Sequence, residues 1–265
     1  MRWSRLVFSF CFVFSLSVPL EARQAPSSPS PQAVTILRNS LAALVGHTAV
    51  TDITLTGSAR RIAGSDDESG PAVLKGVVAG AARVELSLPS GSRSDFSNIS
   101  TAPHSGTWSG SDGVSHAVSF HNLLSDPTWF FPAFGIARGL NSPNHVTTYV
   151  GQETQNSQTV YHIAIQRTLP NAVGDTQFFE HLSRTDLYVD SATLLPVALK
   201  FNVHPDGNAA IDIPVEITYA DYREVNGIQI PFHIEKYLNG SLFLDLQFST
   251  ANLNSGLTAS ALAVQ

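Results

Sequence analysis

The sequence predicts a mainly β protein of the α+β kind: one large, curled antiparallel sheet forming an incomplete barrel, with an N-terminal helix and a short helical lid. Three observations carry this expectation. Apolar and polar residues alternate in four successive segments between Val197 and Phe248, and period two is the strand period. Asn226-Gly227 and Asn239-Gly240 separate the last three of these segments, and both positions of such a hairpin turn need positive φ. Strand signals follow one another without alternating helices, which argues against a parallel α/β fold; a sheet this wide curls rather than staying flat.

Taken in order, the chain opens with Arg2 and Arg5, then an apolar run from Leu6 to Leu20 and small residues near Ala22. This is the pattern of a secretory signal peptide over residues 1–22, with an apolar run too short to span a bilayer well. Cys11 lies inside that run, where a lipidation cysteine would follow it, so the exported chain is expected to hold together without disulfides. Residues 23–31, with Pro26, Pro29 and Pro31 among serines, read as an extended tether. One domain over 32–258 and a tail over 259–265 complete the expected organisation. No other stretch approaches membrane-spanning length. The expectation is therefore a soluble monomer, periplasmic or secreted, without stable membrane insertion.

Ala33, Val34, Ile36, Leu37, Leu41, Leu44 and Val45 fall at helical spacing before Gly46, which predicts a helix over 32–45. Strands are expected at 53–62, 73–78 and 83–88, with a polar turn over 63–70. Shorter, more polar strands follow around Phe96, Ile99, Trp108 and Val118. Residues 123–140 turn aromatic: Trp129, Phe130, Phe131 and Phe134 lie close together. Asp126-Pro127 resembles a capped helix start, and Pro132 breaks that helix. Residues 146–151 and 160–167 read as a hairpin and 169–177 as a loop. Thr185–Asp190 leads through a short turn to Val197, Leu199, Phe201 and Val203 on one face. Val215, Ile217 and Tyr219 come next, then Ile228, Ile230, Phe232 and Ile234, then Leu242, Leu244, Leu246 and Phe248.

Chemistry-bearing motifs are sparse. The nine histidines form no His-x-His or His-Glu-x-x-His spacing, so no metal is expected. Ser109, within Gly106-Thr107-Trp108-Ser109-Gly110, stands one position late for a nucleophile elbow. No glycine pattern cradles phosphates, and no cofactor is expected. Asp221, Glu224, Glu235 and Asp245 fall on the face opposite the aliphatic stripe, where water solvates them. A net charge of −6 does not favour nucleic acid. No catalytic residue, and no enzyme, is expected.

The expected ligand-binding surface is the apolar concavity lined by Val84, Leu86, Trp129, Phe131, Phe134, Val215, Ile217, Phe232, Ile234, Leu244 and Leu246. The aromatic cluster plugs the sheet in one reading and lids an acyl-chain cavity in the other. Each buried methylene there is worth about 0.8 kcal/mol, so a fatty chain could be held without a specific polar partner.

Three segments carry a resemblance. Asp186-Leu187-Tyr188-Val189-Asp190 with Leu195-Pro196-Val197, the stretch from Thr218 to Glu235, and Asn252-Leu253-Asn254-Ser255-Gly256-Leu257 resemble periplasmic lipoprotein-localisation factor A (LolA)-like and outer-membrane lipoprotein-sorting-like proteins. The likeness covers about the last 80 residues. It implies an incomplete antiparallel barrel with a helical lid, a concave face that receives the acyl chains of lipoproteins, and an arginine near the second strand that helps hold the lid. Arg60, Arg61 and Arg83 are candidates for it by position. The expected function is binding of a lipid or acyl chain, free or carried by an acylated protein. The alternative is an envelope sensor or protein-interaction module of the same fold with an envelope protein partner; a hydrolase is a third reading.

Overall fold

The computed structural model describes residues 29–155, 157–169 and 176–263. The expected signal peptide, and the expected tether up to Ser28, lie outside them. Helices are α1 (Pro31–Val45), α2 (Pro132–Asn141), α3 (Thr176–Ser183) and α4 (Ala259–Ala263), with a 3-10 helix at Phe120–Leu124. The strands before α2 are β1 (Asp52–Ala63), β2 (Asp66–Val77), β3 (Ala81–Leu88), β4 (Gly91–Asn98), β5 (Ser105–Ser109) and β6 (Ser115–Ala117). Those after it are β7 (His145–Gln155), β8 (Gln158–Arg167), β9 (Thr185–Asp190), β10 (Pro196–Val203), β11 (Ile213–Val225), β12 (Ile228–Leu238) and β13 (Ser241–Leu253).

All 13 strands form one open antiparallel sheet in the order β6-β5-β4-β3-β2-β1-β13-β12-β11-β10-β9-β8-β7. It is two meanders, β1–β6 and β7–β13, joined along β1 and β13, where Ile53 pairs with Leu253. The predicted hairpins are present: Asn226 and Gly227 have φ of 53° and 80°, Asn239 and Gly240 of 49° and 77°. The free edges are β6 and β7, so residues 118–144 must pass from one edge to the other. They do so across the concave face. Phe130 lies over Gly76 of β2, the Tyr219 hydroxyl of β11 donates to the Trp129 carbonyl at 2.6 Å, and Lys236 of β12 sits 5.1 Å from the Trp129 ring centroid.

Beneath this crossing lies the apolar core. Phe130, Phe131, Phe134 and Ile136 pack against Ile53, Leu55, Leu74, Ile217, Ile234 and Leu246, all fully or almost fully buried; each such side chain contributes roughly 1.5–3 kcal/mol. α1 adds Ala33, Ile36, Leu37 and Leu44 to the same core and lies against α2, β7 and β12. Pro31 occupies its first turn, and the Ser30 hydroxyl accepts from Ala33 N at 3.4 Å.

Several elements differ from the sequence-based expectation. The polar stretch 63–70 is strand except for Gly64 and Ser65, because the two-residue turn zips Ala63 to Asp66 and carries the pairing outward from the core. The aromatic segment does not start a helix at Asp126-Pro127; α2 begins at Pro132, capped by Phe131 without a side-chain bond, because the Asp126 carboxylate accepts from Thr128 and Arg138 instead. Part of the expected loop at 169–177 belongs to α3. Val197 leaves the stripe, since a bulge between Pro196 and Ala198 rotates it to the outer face beside Val160 and Tyr188; Leu199, Phe201 and Val203 stay with the main core. A second bulge, opposite Lys236 and Tyr237, leaves Phe243 rather than Leu242 against the core. The expected tail carries α4, whose Leu262 packs on Val77, Ala81 and Phe96.

Candidate functional site

The crossing segment contains two charged residues between Leu123 and Leu140, Asp126 and Arg138, and the fold brings them together. Arg138 projects from α2 so that its Nε donates to Asp126 Oδ2 at 3.1 Å, and its Nη2 is in closer contact with both carboxylate oxygens. The Thr128 hydroxyl and backbone N–H donate to Asp126 Oδ1 at 2.6 and 2.8 Å. Arg138 Nη1 donates to the Val78 carbonyl at 2.7 Å, just past the end of β2. Burial opposes the Asp126 charge, and Arg138 with Thr128 outweighs it, so the carboxyl titrates below its ordinary range. This arginine fastens the crossing segment to the sheet. The three arginines considered from the sequence do other things: Arg60 pairs with Asp67, Arg61 lies over the Phe243 ring, and the buried Arg83 pairs with Glu85 and donates to the Leu262 carbonyl.

Beside this network is a cavity of about 280 Å³, near the lower end of the roughly 300–1,000 Å³ of small-ligand sites. Its walls are apolar along α2 and the sheet: Trp129, Pro132, Ile136, Ile165, Leu187 and Leu199, with Ile99 and Leu124. Its polar end is formed by Asp126, Arg138, His145 and Arg167, with Ser183 and Thr185 where α3 gives way to β9. The Arg167 backbone N–H donates to the Ser183 hydroxyl at 3.0 Å, yet its guanidinium has no ion pair among the described residues. Burial, and then repulsion from Arg138, act to lower its pKa, with Asp126 opposing; a guanidinium stays charged regardless. His145 is pushed down to about 4 by burial and then by Arg167, so at neutral pH it is uncharged, and its Nδ1 is buried without a partner. Two guanidinium cations thus face one carboxylate, beside neutral polar groups and a mostly apolar wall.

A second cavity, of about 250 Å³, lies on the other side of Trp129 and is lined by Val84, Asp95, Trp108, Leu123, Phe201, Val203, His204 and Lys236. Trp129 and Asp126 border both cavities. Burial raises the pKa of Asp95 and lowers that of Lys236, each partly offset by the other.

Of the residues expected to line a ligand surface, Trp129 and Val84 border these cavities, and Val215 borders an open groove between β10 and β11. Leu86, Phe131, Phe134, Phe232, Ile217, Ile234, Leu244 and Leu246 are packed into the core. Ser109 sits on β5 with its hydroxyl 2.9 Å from that of Ser94. Asp221, Glu235 and Asp245 are engaged by Arg223, by Thr218 and Tyr237, and by His233 respectively. Asp126, Arg138, His145 and Arg167 were not among the expected site residues. The available signal was the pair of opposite charges inside the aromatic stretch.

This open antiparallel sheet with its few helices is the LolA-like fold, and solved structures with this fold match most of the chain. One is a domain named for outer membrane lipoprotein sorting from Vibrio parahaemolyticus, with 12% identity, a TM-score of 0.54, and coverage of 87% of this chain and 96% of that one. Another is a LolA superfamily protein from Nitrosomonas europaea, with 12% identity, a TM-score of 0.53, and coverage of 87% and 96%. A DUF1329 family protein from Desulfovibrio piger matches with 11% identity, a TM-score of 0.53, and coverage of 89% and 98%. No family model and no curated protein matches the chain. Among the described residues, no helix is long and apolar enough to cross a membrane.

Proposed function

We propose that this protein is a non-enzymatic, exported carrier of amphiphiles, which takes one acyl chain with an anionic head group into the cavity beneath α2. The observation that carries the reading is the half-buried Arg167 guanidinium, without an ion pair among the described residues, on the wall of a mostly apolar cavity of about 280 Å³. Such a cation gains from an anionic partner, and a carboxylate or phosphate is the group a guanidinium fork pairs with best. The hydrocarbon walls favour a chain attached to that anion, and neutral His145 adds an imidazole nitrogen for hydrogen bonding rather than a further charge. The size suits one chain rather than several. The leader-like N-terminus and the LolA-like fold support export and carriage; the sorting of lipoproteins would be the special case in which the chain belongs to an acylated protein.

The test uses delipidated protein titrated with a fluorescent fatty acid and with the fatty alcohol of equal chain length. One acid should bind per chain, at least tenfold more tightly than the alcohol, and Arg167→Met should erase that preference while alcohol binding persists. Failure of both amphiphiles to bind rejects the carrier reading. An acid–alcohol preference that survives Arg167→Met rejects the role given to Arg167.

A further inference from the structure

We infer that His181, His204 and Asp212 form a binding site for one divalent transition ion of the zinc class, at the end of the sheet where α3 meets the β10–β11 connection. This site is separate from the amphiphile cavity and does not depend on it. His181 stands in the last turn of α3, His204 directly after β10, and Asp212 directly before β11. One donor atom from each lies within 4.8 Å of the others. His181 Nε2 is 2.9 Å and His204 Nε2 3.1 Å from Asp212, and both approach the same oxygen, Oδ1. A tetrahedral ion with bonds of about 2.0–2.1 Å holds its ligands about 3.3 Å apart, so a small displacement of each side chain would admit one.

Both rings converge on one carboxylate oxygen, which gathers the three donor groups around a single point. The His204 side chain is fully buried, and its Nδ1 has no partner. The ring of His121 packs edge-on to it at 5.7 Å, and His121 Nε2 is likewise buried without a partner. An ion on the Nε2 atoms of His181 and His204 would leave these nitrogens as they are; the convergence of His181, His204 and Asp212 is what points to it. His181 and Asp212 have side chains 46% and 40% exposed, which provides an entry path and room for a water ligand. Two imidazoles and one carboxylate suit zinc and its neighbours, whereas calcium and magnesium prefer oxygen ligands alone. The ion would fasten α3 to the sheet. Because α3 ends at Ser183, which walls the amphiphile cavity, the metal would also steady one side of that cavity.

Tag-free protein stripped with EDTA and titrated with Zn²⁺ by calorimetry, and with Co²⁺ followed by its visible absorption, tests this. One equivalent should bind, with a rise in melting temperature as for any ligand of the native state. His181→Ala and Asp212→Asn change exposed side chains and should each weaken Zn²⁺ at least tenfold with an unchanged circular dichroism spectrum. His47→Ala, on the exposed turn after α1, should bind as the parent does. Absence of stoichiometric binding, or binding that survives both His181→Ala and Asp212→Asn, overturns the assignment.

Discussion

A Cβ on Gly135 would stand 3.0 Å from Asp126 Oδ2, tighter than ordinary van der Waals contact, so the glycine on α2 leaves room for the carboxylate ahead of it. The contact is what lets Arg138, one turn further along α2, engage Asp126 from the same helix face. Gly135→Ala would ordinarily strengthen a helix by roughly 0.5–1 kcal/mol. Here Asp126 is held by Thr128 and Arg138 and has little freedom to retreat, so the substitution should destabilise the fold by about 1 kcal/mol in urea titration. In an Asp126→Ala background the sign should reverse, and a double-mutant cycle reads the difference as coupling. Additivity of the two substitutions would show that the close approach does not matter.

Trp129 separates the two cavities. Trp129→Ala should join them into one space, at a stability cost of about 3–5 kcal/mol. The fluorescent-acid assay should then show a shift in preference toward longer chains. Unchanged chain-length preference in a folded variant would mean that the second cavity is not accessible to ligand.

Asp52 is fully buried at the start of β1 and accepts from Thr51 Oγ1, from Ser255 N and Oγ, and from Gly256 N. Burial works against its charge, but these donors prevail and keep its pKa below the ordinary value. A depressed carboxylate pKa stabilises the fold above the unfolded value of about 3.9, and that contribution disappears as pH falls through the folded value. Asp52→Asn should therefore cost about 1.5–3 kcal/mol at neutral pH, and the gap to the parent should narrow only below about pH 4. A gap of equal size at pH 3 and pH 7 would contradict this account.

His145 has a linkage of the same sign in a higher pH window. Its folded pKa of about 4 lies below the 6.5 of a free imidazole. Between these values the unfolded chain binds a proton that the native state does not, so stability falls as pH drops from 6.5 toward 4. His145→Gln should flatten that slope by up to one proton's worth, measured by denaturant titration across the window. His104 is shifted in the same direction by burial, so a residual slope is expected; an undiminished one would count against a neutral His145.

Much of the architecture was written in alternation and turns. The β11–β12–β13 meander was legible because each strand keeps one apolar face and each hairpin has an Asn-Gly pair. Val197 was misplaced because a single bulge turns it to the face opposite Leu199, Phe201 and Val203, and nothing in the residues around Pro196 marks that extra unit. The outer end of β2 was missed because Asp66–Gly70 owe their strand pairing to the adjoining hairpin rather than to burial. The cavity proposed to take an amphiphile was hardest to read. His145 and Arg167 are cross-strand partners at the open end of the β7–β8 hairpin, far apart in sequence, and meet Arg138 only after the crossing segment has folded over the sheet. The apolar stripe that was read as the ligand surface is instead the core beneath that segment, because the same alternation serves a surface covered by the chain's own helix and one left for a foreign chain.

The seam between β1 and β13 also governs how the molecule is made. During synthesis from the N-terminus, β1 emerges early and forms its hairpin with β2, but its other side has no neighbour until the last strand arrives. For most of translation the nascent protein therefore carries a bare row of amide and carbonyl groups, the kind of template on which chains aggregate. The two meanders come into register with each other only in this late, long-range closure, which makes the handling of the unfinished polypeptide, as much as its finished contacts, a condition of reaching the native state.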